Sequence, residues 1–332
     1  MRSGIYLLSV LALSFSAIEL QAMPIDFGMA RDFNAFVLGD IRAQNSDVEG
    51  RLAVAGNVAL RDYSVGMQLS NSNGTRDDLV VGGQIDFKNG RIYNGNARSS
   101  DTTNPFDNSV GFYSNDPNTP NGSFIPGNPI DFNAAAIHLS GLSSGLSGLS
   151  QSGSKTLNQY GELFLSGSAG LNVFTLTDSE LANVSAFYID APSNANVIVN
   201  VSGQSAELSN FGFFRNGARV PDNNGPFRHD GSQTQGVLFN FFEAINLDIF
   251  AIGVKASVLA PQALVNFYDG HIDGQLIAGS FRGGDTQDLS GQINDYQFKN
   301  VPEPAAVWLI IGVFLVIQLL RRRRVPMIPD AV

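Results

Sequence analysis

Three histidines, at 138, 229 and 271, are the only imidazoles in this 332-residue chain, and there is no cysteine. A zinc site of the usual kind would need paired imidazoles, and no His-x-x-x-His spacing occurs. Thiolate metal sites and cysteine nucleophiles are excluded. Asp222-Asn223-Asn224-Gly225 has some character of a calcium loop, but the alternating oxygen ligands and the closing glutamate are missing. Asp269-Gly270-His271 reads as a turn with a polar tip. A Ser-His-Asp site would have to be assembled in three dimensions. Paired carboxylates for sugar cleavage have no fixed spacing, so a polysaccharide-active enzyme stays an alternative. The expectation is that the protein is not an enzyme, with no catalytic, cofactor-binding or metal residues to name and no cofactor.

Any such chemistry would be held by a body of about 280 residues, from Met23 to near Val301, long enough for a sizeable core. The chain has 35 glycines and 24 phenylalanines, and only 15% of it is charged. That suits short strands and tight turns better than a helical bundle. The formal charge is −10, or about −12 without the two ends, so the surface repels nucleic acid and no nucleic-acid partner is expected.

Strand-like runs recur at Leu52-Ala53-Val54, Val197-Ile198-Val199-Asn200-Val201 and Ala263-Leu264-Val265-Asn266-Phe267. Asn-Gly turn signals begin at residues 73, 89, 94, 121, 216 and 224. A short pattern, apolar–any–Gly–Gln/Arg–apolar, appears at residues 48–52, 81–85, 272–276 and 289–293, with an echo at 201–204. The separations of 33 and 17 residues fit two turns and one turn of a coil with rungs of about 17 residues, chance recurrence being the competing reading. Glycine at each copy suits a corner that takes positive φ or passes close to a neighbour. From Asp131 to about Leu149, Phe132, Ala135, Ala136, Leu139, Leu142, Leu146 and Leu149 fall at helical spacing, with Asp131 as cap. Glycines 141, 145 and 148 weaken this helix by roughly 1 kcal/mol each, so packing must hold it; a flexible linker is the alternative. Residues 99–128 and 221–235 read as surface loops. The fold class expected is mainly β: a β-solenoid, of right-handed β-helix type, with one helix packed alongside and hydrophobic targeting helices at both ends.

The ends carry addresses. Arg2 precedes an apolar stretch from Ile5 to Ile18, and cleavage between Ala22 and Met23 would release a signal peptide, 1–22. At the other end come Val301-Pro302-Glu303-Pro304, an apolar segment 305–320 and Arg321-Arg322-Arg323-Arg324. Four arginines act as a stop on the cytoplasmic side. Sixteen apolar residues span roughly 24 Å, short of a bilayer core of roughly 30 Å. This tail, 301–332, resembles the PEP-CTERM signal of diderm bacteria, which implies cutting near Pro-Glu-Pro by an exosortase-type enzyme; a retained single-span anchor is the alternative.

Residues 33–40 and 46–58, the helix 132–149 and the motifs at 257–263 and 274–280 resemble the choice-of-anchor A family across about residues 27–299, giving a domain 23–300. The closing motif also resembles bacterial ice-binding β-solenoids. The resemblance implies an exported structural or adhesive protein at the cell surface or in a biofilm matrix, reached through the inner membrane. Its partners would be signal peptidase, the exosortase, and extracellular polysaccharide or other cell surfaces. Ice binding is the alternative. It would require ranks of Thr, Ser or Ala, and Thr175 and Thr177 form only one such pair.

Overall fold

The computed structural model describes residues 25–300 apart from 102, 104, 117, 222–228 and 285–288. These belong to one unit, Pro24–Pro302. Strand Ala35–Val37 pairs in parallel with Leu52–Val54, and the ladder passes on through Asp77–Val81 and Asn96–Ser99 to Phe124–Pro126. On its other side Ala35–Val37 pairs with residues 276–278, then 258–260, Val237–Phe241, Asn196–Ser202 and Leu171–Thr177. Parallel pairing at every step means that the chain returns to the same wall once per turn. The protein is mainly β and solenoidal, as the sequence led us to expect.

Two more walls complete each turn. The second holds residues 41–44, 58–61 and 85–88, together with 280–282, 264–268, 246–250 and Ser205–Ser209. The third holds 46–48, 63–65, Gly90–Tyr93 and Val110–Tyr113, with Gln292–Asn294, 270–272 and 252–254. A five-stranded sheet follows the same place in the later coils. Its parallel strands Glu162–Ser166, Ala186–Asp190 and Gly212–Arg215 are flanked by antiparallel Ser154–Leu157 and Ala218–Arg219. The corner between second and third walls is a single residue in left-handed conformation: Asn45, Asp62, Asn89, Asn210, Ala251 and Asp269, all at φ 50–57°. Asn and Asp tolerate that region best, which accounts for most of the column.

Stacking order is not chain order. The first coil lies in the middle of the stack, against the last. From there the chain coils outward to one end, returns as α1 (Phe132–Ser147), and coils inward from the other end until 276–278 close on 35–37. Asp131 caps α1 by accepting from the Ala134 N–H, so the expected helix is present and the linker alternative falls. The helix lies on the first wall. Its Ala135, Leu139 and Leu146 pack on the outward Phe36, Ala53, Val80, Val173, Ile198, Leu238, Leu259 and Ile277. The opposite side chains of the same strands, Val37, Leu52, Val54, Val197 and Val199, fill the coil interior. Burial on both faces is why these strands read as unbroken apolar runs.

The seam between first and last coils is closed by polar side chains. Asn34 Nδ2 donates to the carbonyls of Gly274 (3.0 Å) and Asn294 (2.8 Å), and its Oδ1 accepts from the Gly50 N–H. Gln275 Nε2 donates to the carbonyls of Arg31 (2.9 Å) and Phe33 (2.6 Å), while its Oε1 accepts from the Phe298 N–H. The Ile25 N–H donates to Asn300 Oδ1 (2.9 Å), and Asn300 Nδ2 returns a bond to the Ile25 carbonyl (2.7 Å).

Three expectations need correction. Coils are unequal: Ala35 meets Leu52 after 17 residues, Leu52 meets Leu79 after 27, and Asn200 meets Asn240 after 40. Loops inserted at corners leave the pairing intact, so a fixed period is not required. The glycine pattern accordingly marks different corners: Gly50 and Gly274 leave the third wall, and Gly83 and Gly203 leave the first. Of these only Gly203 has positive φ; at Gly274 close approach decides, since a Cβ would sit 2.3 Å from the Ala256 carbonyl. Finally, 99–128 is not only loop. It supplies Val110–Tyr113 and Phe124–Pro126, and Phe106 packs edge-on against Phe87, Phe112 and Phe124 at that end of the core. Part of the loop expected at 221–235 lies outside the described residues, as do both targeting helices. Among the described residues no helix is long and apolar enough to cross a membrane.

Two stability changes of opposite sign are expected. Asn34→Ala leaves buried carbonyls and an N–H without partners and should cost on the order of 3 kcal/mol. A Cβ at Gly141 or Gly145 meets nothing within 4 Å, so Gly141→Ala and Gly145→Ala should each add up to about 1 kcal/mol. Urea unfolding followed by circular dichroism reads both.

Candidate binding walls

The targeting residues named from sequence, Ala22, Met23, Val301, Pro302, Glu303, Pro304 and Arg321 to Arg324, lie outside the described residues. The first wall is closed by α1. Asn200 and Asn240, in register on adjacent coils and both fully buried, clamp the last turns of the helix. Asn200 Nδ2 donates to the Leu146 carbonyl (2.8 Å), Asn240 Nδ2 donates to the Ser143 carbonyl (2.9 Å), and Ser143 Oγ donates to Asn240 Oδ1 (2.6 Å). Ser143 is the serine of Gly141-Leu142-Ser143-Ser144-Gly145, which has the Gly-x-Ser-x-Gly form of a nucleophile elbow. Here it lies mid-helix, buried, and serves the clamp.

The second wall is open. Its outward central rank runs, in register over consecutive coils, Glu207, Asp248, Asn266, Arg282, Arg42, Ala59 and Asp86. Asn266 Nδ2 donates to Asp248 Oδ1 at 2.7 Å. Arg61, a rank away, forms an ion pair with Asp86. Arg282 and Arg42 stand side by side with no ion-pair partner among the described residues. Shallow depressions of about 320 and 380 Å³ flank Ala59, the small residue of the rank. On the neighbouring rank Phe250 stacks on Tyr268, with ring centroids 5.3 Å apart and planes at 4°.

The third wall carries an aromatic ladder: Phe164 on Tyr188 (4.5 Å, 13°) and Tyr188 on Phe214 (4.4 Å, 21°). Rings stacked face to face across paired strands present their edges outward, so the ladder braces the sheet and offers no flat ring face to a ligand. Between this ladder and the seam, His229 and His271 come together, with centroids 4.0 Å apart. With Asp273 they offer three donor atoms within 4.8 Å. The buried Lys255 ammonium already bonds to Asp273 and lies 3.4 Å from His271 Nε2, so a cation is built in. The cluster reads as an ion-pair network. His138, the third imidazole, sits apart, with Nε2 2.7 Å from the Asp26 carbonyl. A cleft of about 780 Å³ at the seam is lined by Arg31, Arg51 and Arg76. Its arginines are engaged: Arg76 with the buried Asp78 (2.6 Å), and Arg51 with the Asp77 carbonyl and the Phe33 ring.

A family model described as "Putative Ice-binding-like adhesive domain" matches residues 26–312. The chain belongs to this family. Three solved structures are similar to this ice-binding-like adhesive domain at low identity. An ice-binding protein from the Antarctic ascomycete Antarctomyces psychrotrophicus is 13% identical over 83% of this chain and 99% of its own, with TM-score 0.37. One from an Antarctic biological consortium is 12% identical over 88% and 94%, with TM-score 0.39. The Arctic yeast antifreeze protein LeIBP is 14% identical over 84% and 96%, with TM-score 0.34. Among curated proteins none matches the sequence.

Sequence reasoning missed the second-wall charges, the Asn clamp and the histidine pair. Alternation around Asp248 and Arg42 carried a signal, because each is polar between buried neighbours, but their coil register was not visible. His229 and His271 come from separate turns, where short-range metal spacing has no meaning.

Burial at the seam gives the adhesive domain a pH dependence. Glu49 accepts from Gln292 Nε2 (3.1 Å) and the Asp295 N–H (3.2 Å), and burial pushes its carboxyl up to about 7. Burial also pushes Asp295 up. A carboxyl raised in the folded state holds its proton more tightly there, so folding stability falls as pH rises from about 4.5 to about 7 and levels off above. Melting temperature should therefore drop between pH 5 and pH 8, and Glu49→Gln should flatten much of that slope.

Proposed function

We propose that this is an exported, surface-displayed or matrix-associated structural adhesin of a diderm bacterium, without catalytic activity, that works by contact along its open walls. The observation that carries the reading is the second wall. It spans seven coils and presents charged and hydrogen-bonding ranks in register, which suits many weak contacts better than one pocket. Membership in an adhesive-domain family supports it. The finer parts of the reading rest on sequence: the choice-of-anchor A resemblance, the right-handed sense of the coil, the signal peptide 1–22, the domain 23–300 and the PEP-CTERM-like tail 301–332 with its segment 305–320. On this reading signal peptidase and an exosortase-type enzyme act on the two ends, and matrix polysaccharide or other cells are met by the walls.

Ice binding is the second reading, favoured by the family's description. The outward central rank of the second wall weighs against it, because five of its seven residues are carboxylates or guanidiniums where regular Thr, Ser or Ala ranks would be required. Thr175 lies in register with Asn200 and Asn240, so no threonine rank extends from it. A polysaccharide-active enzyme is the third, judged by product release from acidic polysaccharide.

The test compares a deletion strain with its parent for adhesion and matrix retention, alongside binding of the purified protein to matrix polysaccharide and to cells. Loss of adhesion with measurable binding is expected. Unchanged adhesion without binding, or thermal hysteresis at micromolar protein, would overturn the reading.

A further inference from the structure

We propose that the second wall is a self-docking surface, on which a second copy of this chain lies antiparallel along the coil axis. The inference deepens the adhesive reading and rests on it for the setting in which weak contacts are multiplied. Five consecutive coils place Glu207, Asp248, Asn266, Arg282 and Arg42 in one outward rank, each in register with the next. Read as charge, the rank is negative, negative, neutral, positive, positive. It is its own complement when reversed. A two-fold axis through Asn266, lying in the interface along the strand direction, sets Glu207 against Arg42 of the second copy and Asp248 against Arg282, giving four ion pairs by symmetry.

The neighbouring ranks tolerate the same operation. On one side Leu264 meets its own counterpart and Asn246 meets Ser280; on the other Tyr268 meets its counterpart and Ser209 meets Gln44. No like charges are opposed. A parallel pairing sets arginine on arginine and acid on acid, a slide of two coils sets Arg282 or Asp248 against its own counterpart, and a slide of one coil leaves two ion pairs in place of four.

Within one molecule the arrangement is unfavourable. Arg42 and Arg282 are like charges side by side on adjacent strands, as are Glu207 and Asp248, and such neighbours repel. Both arginines are exposed, as is Glu207. The blocks are also joined across the seam: Arg42 comes from the first coil and Arg282 from the last. A contact built from exposed ion pairs over five coils is small and salt-sensitive, so a transient association is expected, strengthened when many copies share a surface.

The experiment uses the protein as its host exports it, in three forms: unaltered, with Arg42→Glu and Arg282→Glu, and with Glu207→Arg and Asp248→Arg. Self-association is measured by sedimentation equilibrium at low salt and again at 0.5 M salt. The unaltered protein should self-associate, and salt should weaken it. Each reversal alone should weaken association at least tenfold, and mixing the two reversals should restore it, which also shows that both variants are folded. A monomeric unaltered protein, reversals that leave association unchanged, or a mixture that fails to recover would each overturn the proposal. Should any of these occur while the protein still adheres to polysaccharide or to cells, self-docking falls and the adhesive reading stands.

Discussion

Everything in this coil depends on closing first turn on last. Parallel ladders run without a break only because residues 276–278 pair with Ala35–Val37, and that pairing sits in the middle of the stack. Backbone hydrogen bonds alone would leave polar groups stranded where two chain segments turn away from each other. Asn34 and Gln275, both essentially fully buried, answer those groups with side-chain amides that both donate and accept. An amide is the side chain suited to this, since it satisfies a carbonyl and an N–H from one position. The buried apolar ranks on either side then stack across the join as if the chain were continuous.

From that closure follows the division of labour among the walls. The return segment α1 has to cross from one half of the stack to the other, so it covers the first wall and makes it a second core. The Asn200 and Asn240 clamp holds a helix whose own propensity is poor, and its glycines at 141 and 145 face open space. The remaining walls are left to solvent. On the third, aromatic rings spend their faces on one another. On the second, charges stand in ordered blocks, and it is there that the protein has something distinctive to offer a partner.

The sequence disclosed strand character where both faces are buried, as at Leu52-Ala53-Val54 and Val197-Ile198-Val199, and it disclosed α1 through its stripe and its Asp131 cap. Local periodicity carries that information. It did not disclose coil length, because loops of different size enter at corners without disturbing register. Nor did it disclose which charges are neighbours. Arg42 and Arg282 touch ranks only because the two ends of the chain meet, and no short-range pattern encodes a contact across 240 residues. The glycine motif shows the same limit: similar strings served different corners, each for its own local reason.

Ile25 and Asn300 hold each other by two hydrogen bonds, so both strands of the polypeptide leave the coil at one spot beside the seam. In a simple spring the terminal turn touches a single neighbour and peels away under tension. Here the outermost turns are built from mid-sequence, while the first and last are each gripped on two sides. A load applied at either terminus must shear several ladders together before any turn unwinds. Such a body can be pulled at both ends and stay wound.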